Sequence, residues 1–126
     1  MSELRVRSTG GSGVIPVRAG VERPPGLSGL EATPQAIMQM GCPGSMPVQI
    51  RAMVVEESGI RHVELHWRAP RQAEQVAEMA EDGPSSFVGT IGPARTAGDV
   101  SWWVSATDIR GNSATSPPES LRVSGC

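Results

Sequence analysis

Lysine and tyrosine are absent from this sequence. All 11 basic residues are arginine, and one phenylalanine and three tryptophans are its only large aromatic residues. Codon bias in a G+C-rich genome produces such a pattern without any demand from function, yet the absences still exclude chemistry. A phosphate-cradling loop of the Walker type needs its lysine, and a Schiff-base enzyme needs an amine. A net charge of −2 lacks the basic excess of a nucleic-acid binder, so no nucleic-acid partner is expected. No apolar run approaches the roughly 20 residues of a membrane-spanning helix, so no direct membrane insertion is expected from this segment. The N-terminal Met1-Ser-Glu-Leu-Arg-Val-Arg-Ser8 has no hydrophobic block after its charges, unlike a signal peptide. A domain of this kind working outside the cytoplasm is therefore expected to be part of a longer exported chain. Paired CxxC cysteines, an H-E-x-x-H stretch and a nucleophile elbow are also missing.

The most informative stretch that is present runs from Asp99 to Ser113. Val100, Trp102, Val104 and Ala106 alternate with Ser101, Trp103, Ser105 and Thr107, the period of a strand with one buried face. Asp108-Ile-Arg-Gly-Asn112 then supplies turn chemistry: an aspartate that can bond its own backbone, and Gly-Asn where positive φ is needed. The chain resumes toward Leu121 and Val123, which makes a hairpin.

Earlier segments repeat the pattern. Residues 1–26 read as a flexible tail or linker, with Ser8-Thr-Gly-Gly-Ser-Gly13 and then Glu22-Arg-Pro-Pro-Gly26. Residues 27–126 read as one domain. Leu27 to Thr33 is a first strand, and Ile37 to Met46 a looser connection holding Cys42. From Pro47 to Val55, Val48, Ile50, Ala52 and Val54 point inward, while Gln49, Arg51 and Met53 point outward. From His62 to Ala69, Val63, Leu65 and Trp67 point inward. Arg71 to Glu81 suits either a helix or a short crossing strand, and context favours a strand over Gln75–Met79. Ser86 to Ile91 is another strand, with Phe87 and Ile91 on one face. Pro117-Pro118 splits the last strand, which suits a sheet edge. About seven strands divided by turn residues predict an all-β, antiparallel two-sheet sandwich.

From Leu27 to Cys126 the sequence resembles the immunoglobulin-like, fibronectin III-like sandwich modules of exported bacterial proteins. The matching stretches are Ser58-Gly59-Ile60, Val63-Glu-Leu-His-Trp67, Gly89-Thr-Ile-Gly92, Val100 to Asp108 and Gly111-Asn112. The resemblance implies seven strands in two sheets. It leaves function open, since such modules serve as spacers, adhesion units, sensor ectodomains and enzyme accessories alike. The cysteine pair that joins the central strands of antibody domains is missing.

Cys42 and Cys126 are the only cysteines. Bridged, they would staple the connection before the second long strand to the end of the last one. That is worth about 4–5 kcal/mol by the chain-entropy argument and implies an oxidising compartment. Free thiols in a reducing cytosol are the other reading, and position and pairing favour the bridge. His62 and His66 would converge on one ion if helical. On a strand they stand about 13 Å apart, too far to chelate. Asp108 could join Glu56 and Glu57 around calcium, but an Asx turn is the simpler reading.

Trp67 and Trp102 are expected in the core. Trp103 must then point out, beside His66, Arg68 or Arg122, either as cover for the sheet or as a patch for a protein partner or a sugar. No metal, cofactor or catalytic residue is expected. The reading is a non-enzymatic extracytoplasmic interaction or spacer module with a protein or cell-surface glycan partner. The alternative is a carbohydrate-binding accessory of a secreted hydrolase.

Overall fold

The computed structural model describes residues 24–57 and 59–126. The tail expected over residues 1–26 lies outside the described residues up to residue 23. Ten strands follow in order: β1 Gly26–Thr33, β2 Ala36–Met38, β3 Val48–Val55, β4 Ile60–Arg68, β5 Gln75–Glu78, β6 Ala80–Glu81, β7 Ser86–Ile91, β8 Gly98–Asp108, β9 Ser113–Thr115 and β10 Glu119–Ser124. Those of four residues or more number seven, the count that the spacing of turn residues predicts.

Period-two alternation builds the core. In β3 every second residue from Val48 to Val54 is buried, and in β8 Val100, Trp102, Val104 and Ala106 are buried while their neighbours are not. One sheet runs β1-β3-β7-β6, and the other runs β2-β10-β8-β4-β5 with β9 also paired to β8. Their inner faces enclose Val48, Ile50 and Phe87 from the first sheet and Val63, Leu65, Val104, Leu121 and Val123 from the second. Each such side chain taken fully from water contributes about 1.5–3 kcal/mol. Gly89 lets the sheets approach. A Cβ there would lie 3.1 Å from Met79 Cγ and 3.2 Å from Leu65 Cδ2.

The stretch after Pro70 is a strand, as its context favours, and Met79 shows why the pattern was ambiguous. It is buried at the crossing between β5 on one sheet and β6 on the other, so only one residue of that segment carries a core signal. Ile37 and Met38, expected in a loose connection, belong to strand β2, and two further expectations need correction. Pro117-Pro118 does split the last strand, but β10 is not an edge, because β2 pairs with it in parallel on its far side. Ser116 bridges the split. Its N–H donates to Val104 O at 2.8 Å, and its hydroxyl accepts from Val104 N at 2.9 Å. The second correction concerns Trp67. It packs against the core but is only half-buried, whereas Trp102, directly opposite it across β4 and β8, is 2% exposed.

Candidate recognition surface and the two ends of the sandwich

The outward face of the second sheet follows from register. His66 lies opposite Trp103 and Val76, Glu64 opposite Ser105 and Glu78, and Arg68 opposite Ser101. Because Trp102 points in, the pleat turns Trp103 out. Trp103 does not stand alone. Its ring stacks on His66, with centroids 5.6 Å apart and planes 9° from parallel. His66 is itself pinned. Nδ1 lies 2.9 Å from Glu74 Oε2, Nε2 lies 3.0 Å from Ser105 Oγ, and the side chain keeps 16% of its exposure. The indole is thereby oriented by three strands or their loops, and Trp103 is half-buried.

Arg68 is exposed on this face, one row from the stack. The structure does not bring Arg122 to it. Arg122 lies opposite Asp99 and reaches it at 3.3 Å, near the far end of β8. His62 and His66 both face Glu64, at 4.0 and 3.5 Å, a half-buried polar cluster rather than a chelate. Among the described residues no group of three or more His, Cys, Asp or Glu is arranged to hold a metal ion. Glu74 is the partner the sequence pattern missed. It comes from the β4–β5 turn, and no periodicity announces which turn residue folds back onto a strand face.

Asp108 is fully buried and occupied by its own loop. Its Oδ1 accepts from the backbone N–H of Arg110 at 2.9 Å and of Asn112 at 2.8 Å, and its Oδ2 accepts from Asn112 Nδ2 at 3.3 Å. That is the Asx-type capping that the Asp-x-x-Gly-Asn spacing predicts. At the opposite end, Cys42 and Cys126 form a disulfide across 84 residues, with Cα atoms 5.8 Å apart. Beside it, Gln39 N donates to Ser124 O at 2.7 Å and Met40 N to Ala94 O at 2.7 Å. The turn after β2 is thus tied to both β10 and the β7–β8 loop.

These two sheets, β1-β3-β7-β6 facing β10-β8-β4-β5, define an immunoglobulin-like β-sandwich. No protein-family model and no curated protein matches the chain. Among solved structures it is similar to the Br derivative of BhCBM56, at 13% identity over 65% of this chain and 84% of that one, TM-score 0.49. It is also similar to murine CRIg, at 11% identity over 80% of this chain and 98% of that one, TM-score 0.41. A third likeness is to an engineered protein of the Northeast Structural Genomics Consortium. There the identity is 15%, the coverage 78% of this chain and 20% of that one, and the TM-score 0.46. With TM-scores below 0.5, these likenesses assign neither ligand nor activity to this chain.

Proposed function

We propose that this domain is a non-catalytic extracytoplasmic interaction or spacer module of a larger secreted or membrane-anchored protein, and that it meets a protein partner through the Trp103 face. The observation that carries the reading is the pinned His66–Trp103 stack at the middle of an open sheet face. An aromatic ring held in one orientation loses little entropy on contact, which is how recognition anchors work. Arg68 would supply the charged rim beside it. The disulfide supports an oxidising compartment, since such bridges rarely persist in cytosol. A rigid, stapled sandwich would also fix the distance and orientation of whatever it joins.

The second reading is a carbohydrate-binding accessory that stacks a sugar on Trp103. A half-exposed indole on a sheet favours it, but one ring face is already covered by His66.

Titration of indole fluorescence with soluble neutral polysaccharides separates the two. A protein-binding or spacer module gives no response that Trp103→Ala removes. A response lost in that variant establishes the sugar reading instead. Trp103→Ala removes the stacked pair, worth about 0.5–1.5 kcal/mol, together with the buried part of the indole at about 25 cal/mol per Å², so a Tm measurement on the variant accompanies the titration. In the native, unreduced protein neither cysteine should react with iodoacetamide, and labelling of both would place the chain in a reducing compartment.

A further inference from the structure

Where Trp67 nears the end of β4, the sheets part around a cavity of about 410 Å³, within the range of small-molecule sites. Trp67, Gln72, Gln75, Pro93, Ala94 and Arg95 line it. This explains why Trp67 keeps exposure that its cross-strand neighbour Trp102 does not: its indole forms one wall of the cavity.

The polar groups there have a defined sense. Gln72 Nε2 donates one N–H to Thr96 Oγ1 at 3.0 Å and Gln75 Nε2 donates one to Ala73 O at 3.4 Å, so each amide is oriented by one of its two N–H groups. Each glutamine keeps its side-chain carbonyl as an acceptor. Arg95 is exposed, no carboxylate lines the cavity, and no described residue forms an ion pair with its guanidinium. A fitting ligand therefore brings hydroxyl donors, one anionic group and an apolar face.

The walls are also set in advance. Gln39 Nε2 donates to Arg95 O at 2.7 Å and Met40 N to Ala94 O at 2.7 Å, which holds the β7–β8 loop against the stapled turn. The β4–β5 turn rests on Gly98, where φ is +128° and a Cβ would come within 2.9 Å of Pro70 Cγ. The cavity at the opposite end, about 370 Å³, has Glu56, Glu78 and Glu81 in its lining against the single arginine Arg61, an acidic excess that suits the same ligand less well.

We propose that the Trp67 cavity binds one ring of an acidic saccharide. The apolar C–H face of the sugar lies on the indole, its hydroxyls donate to the carbonyls of Gln72 and Gln75, and its carboxylate accepts from Arg95. This site is separate from the Trp103 face and does not depend on it.

The test uses the full chain with trigalacturonate, the neutral galactose trisaccharide and an N-acetylated dipeptide with a free carboxylate, followed by calorimetry and by the NMR signals of the three indole N–H groups. Trigalacturonate should bind, shift the Trp67 signal and bind equally well to Trp103→Ala. Arg95→Gln should weaken it by about tenfold or more while leaving Tm unchanged. Gln72→Ala with Gln75→Ala should weaken it further, and the neutral trisaccharide should bind about tenfold less tightly than the acidic one. No binding at millimolar concentration would overturn the proposal, as would indifference to Arg95→Gln, tighter binding of the dipeptide, or loss of binding in Trp103→Ala. Only the last result also bears on the sheet face, so the two readings fail separately.

Discussion

The two ends of the sandwich are held by opposite means. At one end a single buried carboxylate, Asp108, bonds two backbone N–H groups and one amide within four residues of itself. At the other, a disulfide spanning 84 residues works with Gln39 and Met40 to tie together the turn after β2, the β7–β8 loop and the end of β10. A local cap closes its own hairpin and nothing else. A long-range staple sets the position of walls contributed by distant parts of the chain, and that is the end where Trp67 borders an open cavity.

The largest effect should come from the staple. Replacing Cys42 and Cys126 together by serine is expected to cost about 4 kcal/mol in urea unfolding and to lower Tm by roughly 15 °C or more. Hydrogen exchange under native conditions sharpens the comparison. The amides of Gln39 and Met40 should lose more protection than those of Arg110 and Asn112. Equal losses at both ends would mean that the bridge constrains only the unfolded chain, and the proposed division of labour would be gone. Asp108→Ala should come next, at about 3 kcal/mol, because it strips acceptors from donors around a buried site. It should unprotect Arg110 and Asn112 first, while Asp108→Asn, which keeps one carbonyl acceptor, should cost less in the same thermal melt. Ser116→Ala is the smallest of the three. Removing the hydroxyl that satisfies Val104 N–H between the two ends should cost about 1–2 kcal/mol and disturb neither end selectively.

How much could be read beforehand follows the same division. Val48, Ile50, Ala52 and Val54 announce β3 because side-chain direction in a strand depends only on residue parity. The Asp108 hairpin is legible because its bonds close within the loop. Short β2 is not, because three residues with one buried isoleucine carry no period, and its parallel partner β10 lies more than 80 residues away. Trp67 and Trp102 share a parity and a face, yet only one is fully buried. Parity says which way each indole points, whereas the course of the β7–β8 loop decides how far it is covered. Gln72, Gln75 and Arg95 form no motif, and Glu74 reaches His66 only because the β4–β5 turn folds back.

The sequence by itself determined the two-layer architecture, the inward rows of β3, β4 and β8, the outward turn of Trp103 and the chemistry of the Asp108 loop. All of these depend on residues within a few positions of one another. Only the tertiary structure decided that His66 lies under Trp103, that Arg122 lies elsewhere, and that the stapled end stays open beside Trp67. Those outcomes depend on register and loop path between distant segments, which many sequences with the same alternation could set differently.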